Sequence, residues 1–218
     1  MKQILKKSMI VSLALMLMIL LVGVVSAGAD STSMTDEERL ELANKLWGTD
    51  ITYGEYIGQL FPEAYEKSPD TTTKAYYDMK VVWMDPSEES SDSKHRFSGS
   101  TGEKDIPYAG VGDAELDYDG SEITYKIWSR MVFPTPYTVI PSMSVLEHLW
   151  RDDGNNQEIV GIEFESENNV YKIEAEDTYD YSSPDYYRVI GQYSGVFPTG
   201  VVPQTFSGVD STNWEYVS

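Results

Sequence analysis

The sequence predicts a mainly β protein: an antiparallel β-sandwich or barrel of about eight strands, preceded by a small helical segment. Two observations carry this reading. From Lys74 onward apolar and polar side chains alternate with period two, as in a pleated strand with one face inside. Turn residues interrupt that stretch at spacings of order ten residues, the rhythm of sandwiches and barrels. There is also no βαβ rhythm and no Gly-rich strand-to-helix loop, which argues against a nucleotide-binding α/β fold.

The chain divides into three parts. Residues 1–29 read as a secretory signal peptide. Lys2, Lys6 and Lys7 make a positive start, Met9 to Val25 is an uncharged apolar run, and Ala27-Gly28-Ala29 is a small-x-small cleavage pattern. The competing reading is a retained anchor, but the run falls short of the ~20 residues that span a bilayer. Any membrane attachment would come through that uncleaved leader. Residues 30–73 read as short helices. Thr35-Asp36-Glu37-Glu38 is a capping box, in which the Thr hydroxyl and the Glu carboxylate each accept from an otherwise unpaired backbone amide. Leu40, Ala43, Leu46 and Trp47 follow at helical spacing, and Gly48 is a natural stop. Thr52 to Glu55 forms a second box, followed by Tyr56, Ile57, Leu60 and Phe61; Pro62 ends that helix or opens a third short one. The apolar faces of these helices need a partner, most simply the sheet.

Residues 74–218 form the all-β part. Ala75, Tyr77, Met79, Val81 and Trp83 alternate as one strand, and Asp85 to Ser93 is an acidic, Ser-rich loop. Asp113 to Tyr118 and Ser121 to Phe133 flank Asp119-Gly120, which predicts a hairpin with a type I′ turn. Ser144 to Trp150 fits a helix by spacing and a strand by position, and position favours the strand. Asp152 to Asn156 is a turn. Val160 to Glu165 and Tyr171 to Glu176 predict a second hairpin through Asn168-Asn169, and Tyr187 to Tyr193 gives a further strand. Val132-Phe133-Pro134-Thr135 recurs as Val196-Phe197-Pro198-Thr199, each at a place where a strand leaves its sheet.

Composition excludes several functions. There are 16 Lys and Arg against 36 Asp and Glu, net −20; past the leader the imbalance is 13 against 36. Nucleic acid is not a predicted partner, because phosphate binding requires a surplus of cations. With no Cys there is no disulfide framework, thiolate zinc site or Cys nucleophile. The fold must therefore rest on burial alone. No N-glycosylation sequon is present.

Few residues stand out for chemistry. His95 reads as a surface residue and His148 as a satisfied, half-buried imidazole. Two distant His and no Cys do not build a zinc site, and no Ser/His/acid triad has a matching Ser turn. The acid pairs Asp117/Asp119 and Glu163/Glu165 each share a strand face and read as solvated outer surface. No cofactor is predicted. If a metal binds it is calcium, through Asp152 to Asn156, through Asp177, Asp180 and Asp185, or through the opening Glu115-x-Asp117-x-Asp119-Gly120; ordinary turn chemistry explains the same residues. The candidate ligand-binding set is Asp177, Tyr179, Asp180, Tyr181, Asp185 and Tyr186, read as a loop between two strands. Tyr supplies contact area at low entropy cost, and Asp supplies adaptable hydrogen bonds. Trp214 and Tyr216 either join that surface or seal the core.

The expectation is a secreted or cell-surface, non-enzymatic protein that recognises an extracellular ligand, glycan or protein through sandwich loops. The alternatives are a secreted hydrolase acting on polysaccharide with paired carboxylates, or a structural envelope component.

Overall fold

The computed structural model describes residues 34–67, 75–88, 96–101 and 107–218. The leader, His95 and part of the acidic loop lie outside them. Three helices come first: α1 (Asp36–Leu46), α2 (Tyr53–Leu60) and α3 (Pro62–Lys67). Helix α1 ends before Gly48, whose φ is +75°. Helix α2 has the predicted cap: the Thr52 hydroxyl accepts from the Glu55 amide at 3.2 Å, and Glu55 Oε2 accepts from the Thr52 amide at 2.9 Å.

Ten strands follow among the described residues. They are β1 (Arg96–Thr101), β2 (Pro107–Tyr118), β3 (Glu122–Phe133), β4 (Ile140–Asp152) and β5 (Gln157–Val170), then β6 (Lys172–Asp180), β7 (Asp185–Val196), β8 (Val201–Val202), β9 (Thr205–Ser211) and β10 (Glu215–Val217). They form two antiparallel sheets, a sandwich. One has the order β6-β3-β2-β1-β8; the other has β10-β7-β4-β5, with β9 also on β7. Ile127, Met131, Val145, Ile173 and Tyr193 fill the space between the sheets. The outer face of the β4 sheet is covered by the helices, where Tyr53, Tyr56, Ile57 and Leu60 pack on Leu146, Trp150, Ile162 and Phe164. The helices thus find the sheet as their partner. Among the described residues no helix is long and apolar enough to cross a membrane.

Four local expectations are corrected. The strand expected over Ala75 to Trp83 does not form: Ala75–Asp78 is a 3-10 turn, and beyond it Lys80 makes only an isolated bridge to Thr52. Tyr76 and Tyr77 are consecutive and both buried, which a one-sided strand does not allow. In the first hairpin Tyr118 faces Ile123 and the Asp119 amide donates to the Glu122 carbonyl, so the central pair is Gly120-Ser121. Positive φ falls on Gly120 alone (+97°), the type II′ pattern and not I′. The predicted second hairpin is no hairpin: β5 and β6 belong to different sheets, and Tyr171 is the corner between them. Finally, Asp177 to Asp180 is strand β6, leaving a connection of four residues, Tyr181 to Pro184, before β7. Both copies of Val-Phe-Pro-Thr do mark departures: β3 and β4 lie in opposite sheets, as do β7 and β8.

Strand β5 is a sheet edge, and exposed edges invite unwanted pairing. Helix α1 covers it with an amide. Asn44 Nδ2 donates to the Ile159 carbonyl at 2.9 Å, and Asn44 Oδ1 accepts from the Ile159 amide at 2.8 Å. The side chain imitates one residue of an added strand. Asn44→Ala is expected to cost about 2 kcal/mol, because two edge hydrogen bonds are lost together. Urea unfolding that leaves the midpoint unmoved would refute this.

Candidate functional site

A cleft of about 340 Å3 opens between β5 and β6, at the edge where the two sheets part. Its walls include Glu163 from β5, Asp177, Thr178 and Tyr179 from β6, Tyr125 from β3, and Arg39 from α1. Strand alternation brings these side chains together. On β3, Ile123, Tyr125 and Ile127 point inward. Tyr125 runs past Gly161, where an added Cβ would lie 2.6 Å from its hydroxyl. Its hydroxyl donates to Asp177 Oδ2 at 3.0 Å. Only a glycine at position 161 leaves room for that bond.

Behind the cleft sits Glu147. On β4 it follows Met143 and Val145 and precedes Leu149, all inward and buried. It is paired with Glu163 on one side and Gly191 on the other. It is fully buried, and neither carboxyl oxygen has a hydrogen-bond partner. Burial, reinforced by Glu163 and Asp177, pushes its pKa up to about 10, so it is a neutral acid at pH 7. Glu163 is also raised, first by partial burial and then by Asp177 and Glu165. The Tyr125 phenol is raised by burial and by Asp177. Arg39 brings a positive charge to the rim, but it is already engaged with Asp36 at 2.8 Å and with the Leu60 carbonyl at 3.1 Å. The cleft therefore offers a carboxyl biased toward its protonated form, a second carboxyl group, phenol hydroxyls and a Tyr ring. That set donates to and accepts from hydroxyl groups and presents an aromatic edge.

The predicted ligand-binding residues separate. Asp177 and Tyr179 line the cleft. Tyr179 and Tyr181 also lie against Tyr187, at ring-centroid distances of 6.0 and 6.4 Å. Asp180 lies opposite Glu122 in the β3–β6 ladder. Asp185 accepts from the Ser183 hydroxyl at 3.1 Å. Tyr186 is half-exposed and packs on Tyr216, 5.2 Å between centroids, away from the cleft. Trp214 contributes to the core beneath the helices, and its Nε1 donates to the Pro86 carbonyl at 3.0 Å.

No family model matches the chain, and no curated protein matches it. Among solved structures, a CARDB domain from Pyrococcus furiosus, determined in complex with di-metal ions, aligns with 61% of this chain and 98% of its own. The identity is 7% and the TM-score 0.28. A β-glucosidase from Kluyveromyces marxianus aligns with 49% of this chain and 15% of its own, at 9% identity and a TM-score of 0.24. Likeness at this level carries no functional information.

Sequence reasoning missed part of the site. Glu163 was expected on a solvated outer face, but it is half-buried and turned toward the gap between the sheets; Glu165 is exposed. Glu147 gave one legible signal, a lone acid at an inward position of an otherwise apolar alternation. His148 is more buried than expected, 3% exposed. Tyr56 Oη lies 2.9 Å from its Nε2, and burial lowers its pKa to about 3. In the candidate calcium turn, Asp152 Oδ1 accepts from the Gly154 amide and Asp153 Oδ1 from the Asn155 and Asn156 amides, as in ordinary Asx turns. Among the described residues no group of three or more His, Asp or Glu gathers as a metal site.

Proposed function

We propose that this is an exported, non-enzymatic recognition protein of the cell surface or its surroundings, and that the β5–β6 cleft holds a hydroxyl-rich ligand such as a neutral glycan. The observation that supports this is the cleft lining itself. Glu163, Asp177 and Tyr179 supply hydrogen-bond groups of both senses beside an aromatic ring, on strands that hold them fixed. Sugar hydroxyls require that mixture, and the apolar CH face of a sugar ring suits Tyr179. Export rests on the leader, and loss of the ligand to bulk water is opposed by the rigid walls.

The test is thermal unfolding of the full chain against a panel of neutral oligosaccharides. A ligand that binds the native state raises the melting temperature by mass action. At least one sugar should raise it for the wild type, and Tyr179→Ala should abolish that rise. If every sugar leaves the wild type unmoved, or if Tyr179→Ala responds equally, the reading fails.

One observation favours a second reading. A carboxyl with a raised pKa beside a second carboxylate is the division of labour that glycoside hydrolysis uses. Release of reducing ends from the same oligosaccharides, lost in Glu163→Gln, would replace recognition by hydrolysis.

A further inference from the structure

Exposed apolar side chains gather at one end of the sandwich. Among the described residues eleven large apolar side chains are exposed, and six of them, Val132, Phe133, Tyr137, Val139, Tyr171 and Val202, lie at this end. Singly scattered surface side chains would not collect in this way. Strand direction brings them together. β3 ends at Phe133, β4 begins at Ile140, and β5 and β6 meet at Tyr171. Val202 on β8 pairs with Ser100, which also faces Pro107 at the start of β2. Tyr171 is tied twice to the connection between β3 and β4. Its carbonyl accepts from the Met131 amide at 2.8 Å, and its ring lies 5.5 Å from that of Tyr137. Tyr137 is the most exposed of the six, at 72%.

The same end is built from uncharged chain. Residues 131–146 and 189–209 contain no Asp, Glu, Lys or Arg, in a chain where these make up 24%. Moving away from the tip along the outer face of the β3 sheet, the first charges on β3 and β6 are Arg130 and its partner Lys172. The acids Asp113 and Glu174 come one outward position further along, opposite Trp128. On β5 the first acid is Glu167, about 10 Å of strand before Val170. Polar groups at the tip are largely answered from within. The Thr138 amide donates to the Thr135 carbonyl at 3.1 Å, and the Thr135 amide donates to Thr138 Oγ1 at 3.0 Å. The Phe197 amide donates to the Gln204 carbonyl at 2.8 Å, and the Val201 amide to the Pro198 carbonyl at 3.1 Å. Pro134, Pro136, Pro198 and Pro203 have no N–H to satisfy.

We infer that this end docks on a lipid bilayer, with Phe133, Tyr137, Val139 and Tyr171 entering the headgroup boundary and the acidic body held away from it. A bilayer takes water away and gives no hydrogen-bond partner back, so it suits a tip whose polar groups are already paired. Tyr belongs at that boundary, with its ring in apolar surroundings and its hydroxyl in wet ones. A protein partner would ordinarily form about one hydrogen bond per 100–200 Å2, and this end offers few free groups for that. A second copy packed tip to tip would bring together two molecules of net charge −20. On the bilayer, Arg130 and Lys172 stand nearest the headgroups, where long basic side chains keep their charge in water. Burial of apolar area drives the docking, so a zwitterionic bilayer suffices and salt has little effect. The surface is separate from the β5–β6 cleft and does not rest on the reading given above.

The absence of Cys makes the test direct, because a single introduced thiol is the only site for a label. A polarity-sensitive fluorophore is attached to the full chain through Val139→Cys, and in a second sample through Asp119→Cys, at the opposite end of β3. Phosphatidylcholine vesicles should shift the emission of the label at 139 to the blue, at low and high salt alike, and leave the label at 119 unchanged. Any attachment through residues 1–29 is common to both samples, so the contrast between them reads the tip. Adding Phe133→Ser/Tyr137→Ser should raise the vesicle concentration needed for half the shift at least roughly tenfold, the loss expected for two buried aromatic side chains. Melting curves check that the variant folds. No shift at 139, an equal shift at 119, or an unchanged response of the double variant would each overturn the inference. So would self-association without lipid that the double substitution abolishes, which would give the tip to a second copy.

Discussion

Lowering the pH from about 8 to about 6 is expected to raise the melting temperature of this protein, because Glu147 must be neutral to fold. The carboxyl has an ordinary value of 4.5 in the unfolded chain and about 10 in the fold. Between those values the folded state holds a proton that the unfolded state has lost. Stability is therefore fully present below pH 4.5 and drains away as pH rises toward 10, by about 1.4 kcal/mol per pH unit. Raised Glu163 and Glu165 add to the same slope. His148, the next residue, works in the opposite sense. Its folded pKa of about 3 lies below the ordinary 6.5, so its contribution is present above 6.5 and lost as pH falls toward 3. Between 4.5 and 6.5 the two slopes nearly cancel. The stability curve should show a plateau there, falling on both sides.

Glu147→Gln separates the two. Gln keeps the shape and stays neutral at every pH, so the alkaline fall should flatten. At pH 7 the variant should be more stable by about 3 kcal/mol, the free energy of protonating a group 2.5 pH units above its unfolded value. For a chain of this size that is roughly 6–12 °C in melting temperature. Melts of both proteins across the pH range check this. A wild type whose stability rises steadily from pH 6.5 to 9, or a variant with the wild-type slope, would show that Glu147 is not a neutral core acid.

Arg188→Met should be the most damaging exchange outside the core aliphatics. Arg188 is 0% exposed. Its Nη1 donates to the Pro86 carbonyl at 2.5 Å and the Glu88 carbonyl at 2.7 Å, and its Nη2 donates to Ser211 Oγ at 2.7 Å. Trp214 lies against its guanidinium and donates to the same Pro86 carbonyl. One side chain therefore ties the segment after the helices to β7 and β9. Met fills a similar volume but makes none of these bonds. The expected loss is about 3–5 kcal/mol, given the strength of charge-assisted bonds in a buried setting. Residues 81–88 should also become protease-sensitive before the sheets unfold. A melting point within about 2 °C of wild type would rule out this role.

How much was legible in the sequence depends on the range of the interaction. Alternation of side chains along β2, β3 and β7 is a local consequence of the pleat, and it showed in the sequence. So did the Thr52 cap and the Gly48 stop, whose partners lie within one turn. Of the Asp177–Tyr186 set, Asp177 and Tyr179 line a cleft and the other four do not. Sequence proximity was a poor guide because β6 and β7 belong to opposite sheets, which sends neighbours in the chain to different sides of the molecule.

The sequence by itself determined a cysteine-free, strongly acidic, mainly β protein, sandwich or barrel, with helices ahead of it. Tertiary structure alone decided that the two sheets close as a sandwich, that β5 and β6 part company, that Glu163 turns inward beside Asp177, and that Glu147 is sealed between the sheets. The reason is physical. Strand periodicity fixes which residues share a face, but the choice of neighbouring strand is set by long-range burial and register, which no local window of residues contains.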